Sequence, residues 1–304
     1  MVKWFHSIGV IRVLKITIEN AISNLPYYQN FIPLNYRKMI EESPGQFTVL
    51  GARSKDRYAG LIIAKKYKKA SLMVINYLVA SEWNKNTGLE EMFLYLLEDI
   101  ASVEKIQHIH YEYSGERNEY FQYIGGLLRK NNWSSLRPST FHYVLHRNAI
   151  VNELRYNNYF NSNHELIFFE WGLYPSNKRF EIIEGEEKWF PKNHSLFADA
   201  QEIDKSSLGV RLDGEVIGWF LIQRVDPQTI MVKSIYLKEE FRSNQNSTQL
   251  LIMGLMQALK LPNWQIMMLH IDDDNKQLQL FVDRVLRRAI QNKSVVYQSK
   301  KRVL

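Results

Sequence analysis

The sequence predicts an α+β protein made of two tandem copies of one fold, each a mostly antiparallel mixed sheet flanked by helices. Three observations carry this: an internal repeat, a change of apolar period within each copy from two to about 3.6, and a length that supplies two cores. Sliding the chain along itself by 158 positions, with no gap opened, lays Gly60 on Gly218 and Leu50-Gly51-Ala52-Arg53 on Leu208-Gly209-Val210-Arg211. The same register lays His6 on His164, Phe31 to Asn35 on Trp189 to Asn193, and Met73-Val74 on Met231-Val232. It also brings Glu82 onto Glu240, Gln107 onto Gln265 and Arg129 onto Arg287, and it holds over about 120 residues. Solenoid units run to roughly 20–50 residues, so this period is that of a whole domain. The expected division is a first copy at 1–150, a joint at 151–163 rich in Asn and Tyr, and a second copy at 164–304.

In the first copy, Ile8 to Ile16 is a β-rich run, followed by a short helix that Asn24-Leu25-Pro26 stops. Pro33 opens a second helix through Tyr36, Met39 and Ile40, which Ser43-Pro44-Gly45 breaks. Three strands follow, Phe47 to Arg53, Tyr58 to Lys65 and Leu72 to Ala80, as an antiparallel meander. Leu89, Met92, Phe93, Leu96, Leu97 and Ile100 then form one apolar helical stripe. A strand from Ile106 to Tyr113, a helix from Asn118 to Lys130 and a strand from Phe141 to Arg147 close the copy. The second copy repeats the order: a strand at Leu166 to Leu173, a meander at Leu208 to Leu237 and a helix from Thr248 to Leu259. A strand at Ile266 to Ile271, a helix at Lys276 to Ala289 and a tail strand at Val295 to Tyr297 complete it.

Composition narrows the function classes. The chain has no cysteine, which excludes disulfides, thiolate metal sites and a Cys nucleophile and suits a reducing compartment. Met1 to His6 lacks the charged head and long apolar stretch of a signal peptide. Apolar runs such as Val216 to Ile222 are strand-length, far below a membrane span. A soluble, cytoplasmic protein with no membrane partner is expected. Net charge is +7, with clusters at Lys65-Lys66-Tyr67-Lys68-Lys69, Arg287-Arg288 and Lys300-Lys301-Arg302. These read as a solvated hairpin tip, a helix end and a tail; no nucleic-acid-binding pattern accompanies them, so a nucleic-acid partner is not expected.

Strand, two helices, three-strand meander, helix, strand, helix, strand is the element order of the GNAT superfamily of acyl-CoA-dependent N-acyltransferases, which this chain resembles along nearly its full length. Two-copy members include mycothiol synthase-like and N-myristoyltransferase-like proteins and the Fem-type aminoacyltransferases. The resemblance implies acetyl-CoA or another acyl-CoA as co-substrate and a small-molecule or peptide amine as acceptor. The family signature, Arg or Gln, two residues, Gly, any residue, Gly or Ala, follows the fourth strand and opens a helix. There, main-chain N–H groups point at the diphosphate of coenzyme A. In the second copy this position reads Arg242-Ser243-Asn244-Gln245-Asn246-Ser247-Thr248, with Gln245 in place of the first Gly and Ser247 standing in for the last. In the first copy it reads Asn84-Lys85-Asn86-Thr87-Gly88-Leu89, with the Arg lost and the lone Gly one place early. The resemblance therefore makes the second copy the cofactor-binding one, at Leu237, Lys238, Arg242, Ser243, Asn244, Gln245, Asn246, Ser247 and Thr248, and the first copy degenerate.

The family's usual proton donor to the departing thiolate is a Tyr in the helix after the fifth strand. Leu128 takes that position in the first copy, with Tyr120 and Tyr123 earlier in the helix, and Leu278 to Arg288 holds no Tyr. A base for the attacking amine is expected at the gap between the fourth and fifth strands. His270 and Glu112, equivalent under the repeat, are the candidates, although His108 and His110 show that this strand tolerates polar residues and an exposed edge is the stronger account of them all. Asp272-Asp273-Asp274-Asn275 lacks the calcium-loop spacing and reads as a helix cap, so no metal is expected. The leading expectation is an acyl-CoA-dependent N-acyltransferase working by direct attack of the amine. A catalytically decayed binding or scaffolding protein and a Fem-like transferase using aminoacyl-tRNA are the alternatives.

Overall fold

Two glycine pairs mark where each sheet leaves no room for a side chain. A Cβ on Gly51 would lie 2.3 Å from the Tyr28 ring, and one on Gly209 would lie 2.1 Å from the Phe169 ring. Gly60 and Gly218 would each drive a Cβ into a carbonyl of the neighbouring strand, Val79 O at 2.8 Å and Tyr236 O at 2.4 Å. Both pairs are related by the 158-residue repeat, so part of the repeat is written by packing that forbids a Cβ. The computed structural model describes residues 11–13, 16–55, 57–81, 87–156, 166–175, 178 and 204–303. The chain divides into two compact units, residues 1–138 with 296–304, and residues 139–295.

The first unit contains β1 (Ile11–Val13), β2 (Ile16–Asn20), α1 (Leu25–Tyr28), α2 (Leu34–Glu42), β3 (Phe47–Ser54), β4 (Arg57–Tyr67), β5 (Leu72–Ala80), α3 (Leu89–Val103), β6 (His108–Ser114) and α4 (Glu119–Lys130). Its strands neighbour one another in chain order from β1 to β6, and β5 with β6 is the parallel pair. The apolar stripe of α3, with Ile124 and Leu128 of α4, packs on Ile62, Ile75 and Ile109 from one face. Tyr28, Ile32 and Ile40 cover Val49, Leu61 and Ile63 from the other. The short helix expected before Pro26 is instead the strand β2, with Ile18 buried, and Leu25-Pro26 begins α1. Proline is accommodated in a first helical turn, where its missing N–H would have had no partner.

The second unit contains β7 (Arg137–His146), α5 (Arg147–Tyr156), β8 (Ile167–Glu170), β9 (Leu208–Leu212), β10 (Glu215–Asp226), β11 (Thr229–Leu237), α6 (Asn244–Lys260), β12 (Ile266–Asp272), α7 (Lys276–Val285) and the first half of β13 (Ile290–Arg302). Its strand order is β7-β12-β11-β10-β9-β8, with β11 and β12 parallel. Leu250, Leu251 and Leu255 of α6 and Val282 of α7 pack on Phe220, Met267, Leu269 and Ile271.

The units are not the halves expected from the sequence. The strand read as Phe141 to Arg147, closing the first copy, pairs through Phe141 to His146 with β12 in the second unit, His270 opposite His142. The first unit is closed by the chain's far end, with Val296 to Arg302 antiparallel to β6. The start of the supposed joint is the helix α5, whose Ile150 lies in the second unit's core; residues 157–163, like His6 and His164, fall outside the described residues. β13 is also far longer than its apolar centre predicts, because pairing rather than burial holds its polar ends.

Candidate functional site

Each unit opens its sheet at one place. In the second, β11 and β12 pair only from Thr229 with Ile266 to Val232 with Leu269. Beyond that point β11 stays with β10, as far as Leu237 opposite Gly218, while His270 to Asp272 stay with β7. A β-bulge accounts for the parting. Leu221 pairs with Ser234 and Ile222 with Val232, so Lys233 is the extra residue that turns β11 aside. In the first unit Ile75 with Tyr111 is the last pair between β5 and β6, and Asn76 is the bulge residue. The hairpin before the second V is one residue shorter, since Gly60 faces Ala80 whereas Gly218 faces Leu237. The gapless register thus conceals a deletion in the hairpin and an insertion in the loop leading to the next helix.

The segment after β11 turns through Glu239–Phe241 into α6, which starts at Asn244, four residues before the start read from the sequence. The Ser243 side chain is the N-cap, accepting from Asn246 N at 3.1 Å, and Ser243 O accepts from Ser247 N at 3.0 Å. The amides of Asn244 and Gln245 precede the first intrahelical bond and are the ones left for an anion. Leu237 and Lys238 face away from this point. Leu237 is buried; the Lys238 amide donates to Ile217 O at 2.8 Å and its ammonium pairs with Glu215. Arg242 turns back, its Nε donating to Leu237 O at 2.6 Å and its guanidinium lying 5.4 Å from the Tyr236 ring centre. It braces the loop. Asn246 Nδ2 does the same, donating to Phe241 O at 3.1 Å, while Ser247 and Thr248 continue the first turn, half-buried. In the first unit Asn84 to Asn86 and Glu82 lie outside the described residues, and α3 starts at Leu89 after Gly88, at φ +80°.

His270 and Glu112 occupy the same station, the first residue of β12 or β6 beyond the last parallel pair. Both point to the face away from the helices of the core stripe, since Leu269 and Ile271, or Ile109 and Tyr111, take the other. His270 keeps an exposed edge while its ring stacks on His142, centres 4.0 Å apart. Crowding by protein atoms, then the His142 imidazole, push its pKa down to about 4. Glu112 accepts from Gln298 Nε2 at 3.2 Å, and burial raises its pKa against that bond. His142 was not legible as a neighbour, because the pairing that brings it here follows from the exchanged strand. Asn275, rather than the three aspartates before it, caps α7, accepting from Leu278 N at 3.2 Å. Among the described residues no group of three or more His, Asp or Glu is placed to hold a metal ion, and no helix is long and apolar enough to cross a membrane.

Residues 167–286 match the model of the Acetyltransferase (GNAT) family. No curated protein matches the chain in sequence. Similar solved structures include a tandem GNAT protein from the clavulanic acid biosynthesis pathway, 13% identical, with TM-score 0.53 over 84% of this chain and 82% of that one. The chain has a tandem GNAT fold. A GCN5-related N-acetyltransferase from Sphaerobacter thermophilus is similar over 96% of this chain and 97% of its own, at 12% identity and TM-score 0.57. One from Kribbella flavida is similar at 10% identity and TM-score 0.51, over 81% and 88%. These likenesses carry the fold, and the family match lies within the second unit.

Proposed function

We propose that this tandem GNAT protein is an acyl-CoA-dependent N-acyltransferase whose second unit takes acetyl-CoA, or another acyl-CoA, and passes the acyl group directly to the amine of a small molecule or peptide. The observation that carries it is the V between β11 and β12, with the start of α6 following its open strand, inside the family match. The residues present suit such a donor: the Asn244 and Gln245 amides and the α6 dipole favour a diphosphate. The open edge of β11 past Val232 offers main-chain groups to an amide-bearing arm. Acyl-CoA supplies the activated thioester; the chain binds it, holds it and removes a proton. His270 is the group assigned to that proton. With a pKa near 4 it is neutral at pH 7, and it takes a proton only from a nitrogen made acidic by bonding to the acyl carbon.

Titration calorimetry with acetyl-CoA tests the reading. Wild type binds, and Ser247→Trp, which puts an indole into the first turn of α6, does not. Wild type that binds no acetyl-CoA ends the proposal. A second reading, a binding module without turnover, is favoured by α7, whose sequence from Lys276 to Val285 has no hydroxyl to protonate a thiolate. Binding without acetyl transfer to any amine of a broad panel would select it.

A further inference from the structure

The two Vs differ in what fills them. In the first unit, β5 past Ile75 is released from β6, so its carbonyls on that side need other partners. Tyr120 of α4 donates to Leu78 O, and Tyr36 of α2 donates to the bulge residue's carbonyl, Asn76 O, at 3.4 Å. The Tyr120 ring packs against the core that holds Tyr111 of β6, so one phenol rooted beside β6 caps the parted edge of β5. Behind it, Tyr123 donates to Glu90 Oε2 at 3.3 Å. Glu90 is only 2% exposed and lies in the first turn of α3. A carboxylate there meets the demand for negative charge that a helix start makes. Burial raises the pKa of Glu90, as expected for an acid enclosed among rings.

The second unit cannot build this. Burial sets the helix register: Phe121, Ile124 and Leu128 of α4 correspond to Gln279, Val282 and Leu286 after β12. Leu278 and Phe281 then stand where Tyr120 and Tyr123 stand, and Thr248 stands for Glu90 under the repeat. No hydroxyl reaches across that V from α7, and no carboxylate occupies the first turn of α6.

We propose that the first unit has closed its V with its own side chains, Tyr120 on the strand edge and Glu90 at the helix start, so that each chain holds one acyl-CoA, in the second unit. This rests on the acyl-CoA reading above. The experiment combines calorimetric stoichiometry with hydrogen exchange read by mass spectrometry, on the full chain with acetyl-CoA. One equivalent per chain is expected, with slowed exchange across residues 233–250 and unchanged exchange across 76–94. Ser247→Trp removes that equivalent. Two equivalents, slowed exchange at 76–94, or an equivalent that survives Ser247→Trp would overturn the closed first unit while leaving the acyltransferase reading intact. No binding by wild type would overturn both.

Discussion

His270 and His110 hold imidazoles whose pKa values are pushed down to about 4, His270 by crowding and then by His142, His110 by burial and then by Lys300 and His108. The ordinary value is 6.5, so between 4 and 6.5 the unfolded chain binds more protons than the folded one. Stability is therefore fully present above 6.5 and drains as pH falls toward 4. His270→Gln should flatten that acid limb in a series of thermal melts, and His142→Ala should move the His270 titration upward, read by NMR. The low value also places the acid limb of kcat/KM well below 6.5 if His270 is the base; a limb unchanged in His270→Gln would remove it from that role. At Gly218 the constraint is steric. A Cβ 2.4 Å from Tyr236 O must push backbone rather than a side chain, so Gly218→Ala should cost about 1–3 kcal/mol, measured by urea unfolding.

Among elements, the meander and the helices of the apolar stripes were legible because burial imposes a period, as it does from Leu89 to Ile100 and along β10. Where capping rather than burial decides, the sequence is less telling. Asn244 to Asn246 carry no apolar stripe, so α6 reads as starting at Thr248, yet Ser243 caps it at Asn244. The displacement matters for the candidate site, since it moves the free amides from the end of the signature to its middle. Ser243→Ala should cost about 1 kcal/mol of stability, by urea unfolding, and should weaken acetyl-CoA binding, because fraying the first turn disperses the donors. The bulges at Lys233 and Asn76 were not legible. A single unpaired residue leaves no compositional mark, and only the register of both neighbouring strands exposes it. Glu90 had a faint signal, a carboxylate at the head of an apolar helix, which solvent exposure would have explained as well.

For the whole molecule, the repeat showed that there are two copies but not which strand completes each. Sequence similarity between β7 and β13 is low, so chain order suggested that the strand at Phe141 closes the first copy. The contacts of the C-terminal segment decide otherwise. Ser134 N donates to Lys300 O at 2.9 Å, Lys300 N donates to Ser134 Oγ at 2.7 Å, and Lys301 reaches Glu98 at 2.7 Å and Asn131 O at 2.8 Å. These hold Val296 to Arg302 against β6, whose edge would otherwise present seven unpaired residues, His108 to Ser114. A fragment of residues 1–150 should therefore fail to fold, showing open strand edges and no protected amides at 108–114. Residues 1–138 joined to 296–304 through a Gly/Ser linker of about ten residues, long enough to span the short gap that the Ser134–Lys300 pairing implies, should fold cooperatively. Circular dichroism melts and hydrogen exchange on the two fragments separate the cases. A cooperative melt from 1–150 alone would mean that the strand at Phe141 can close the first unit, and that the exchange of strands is a choice made only in the intact chain.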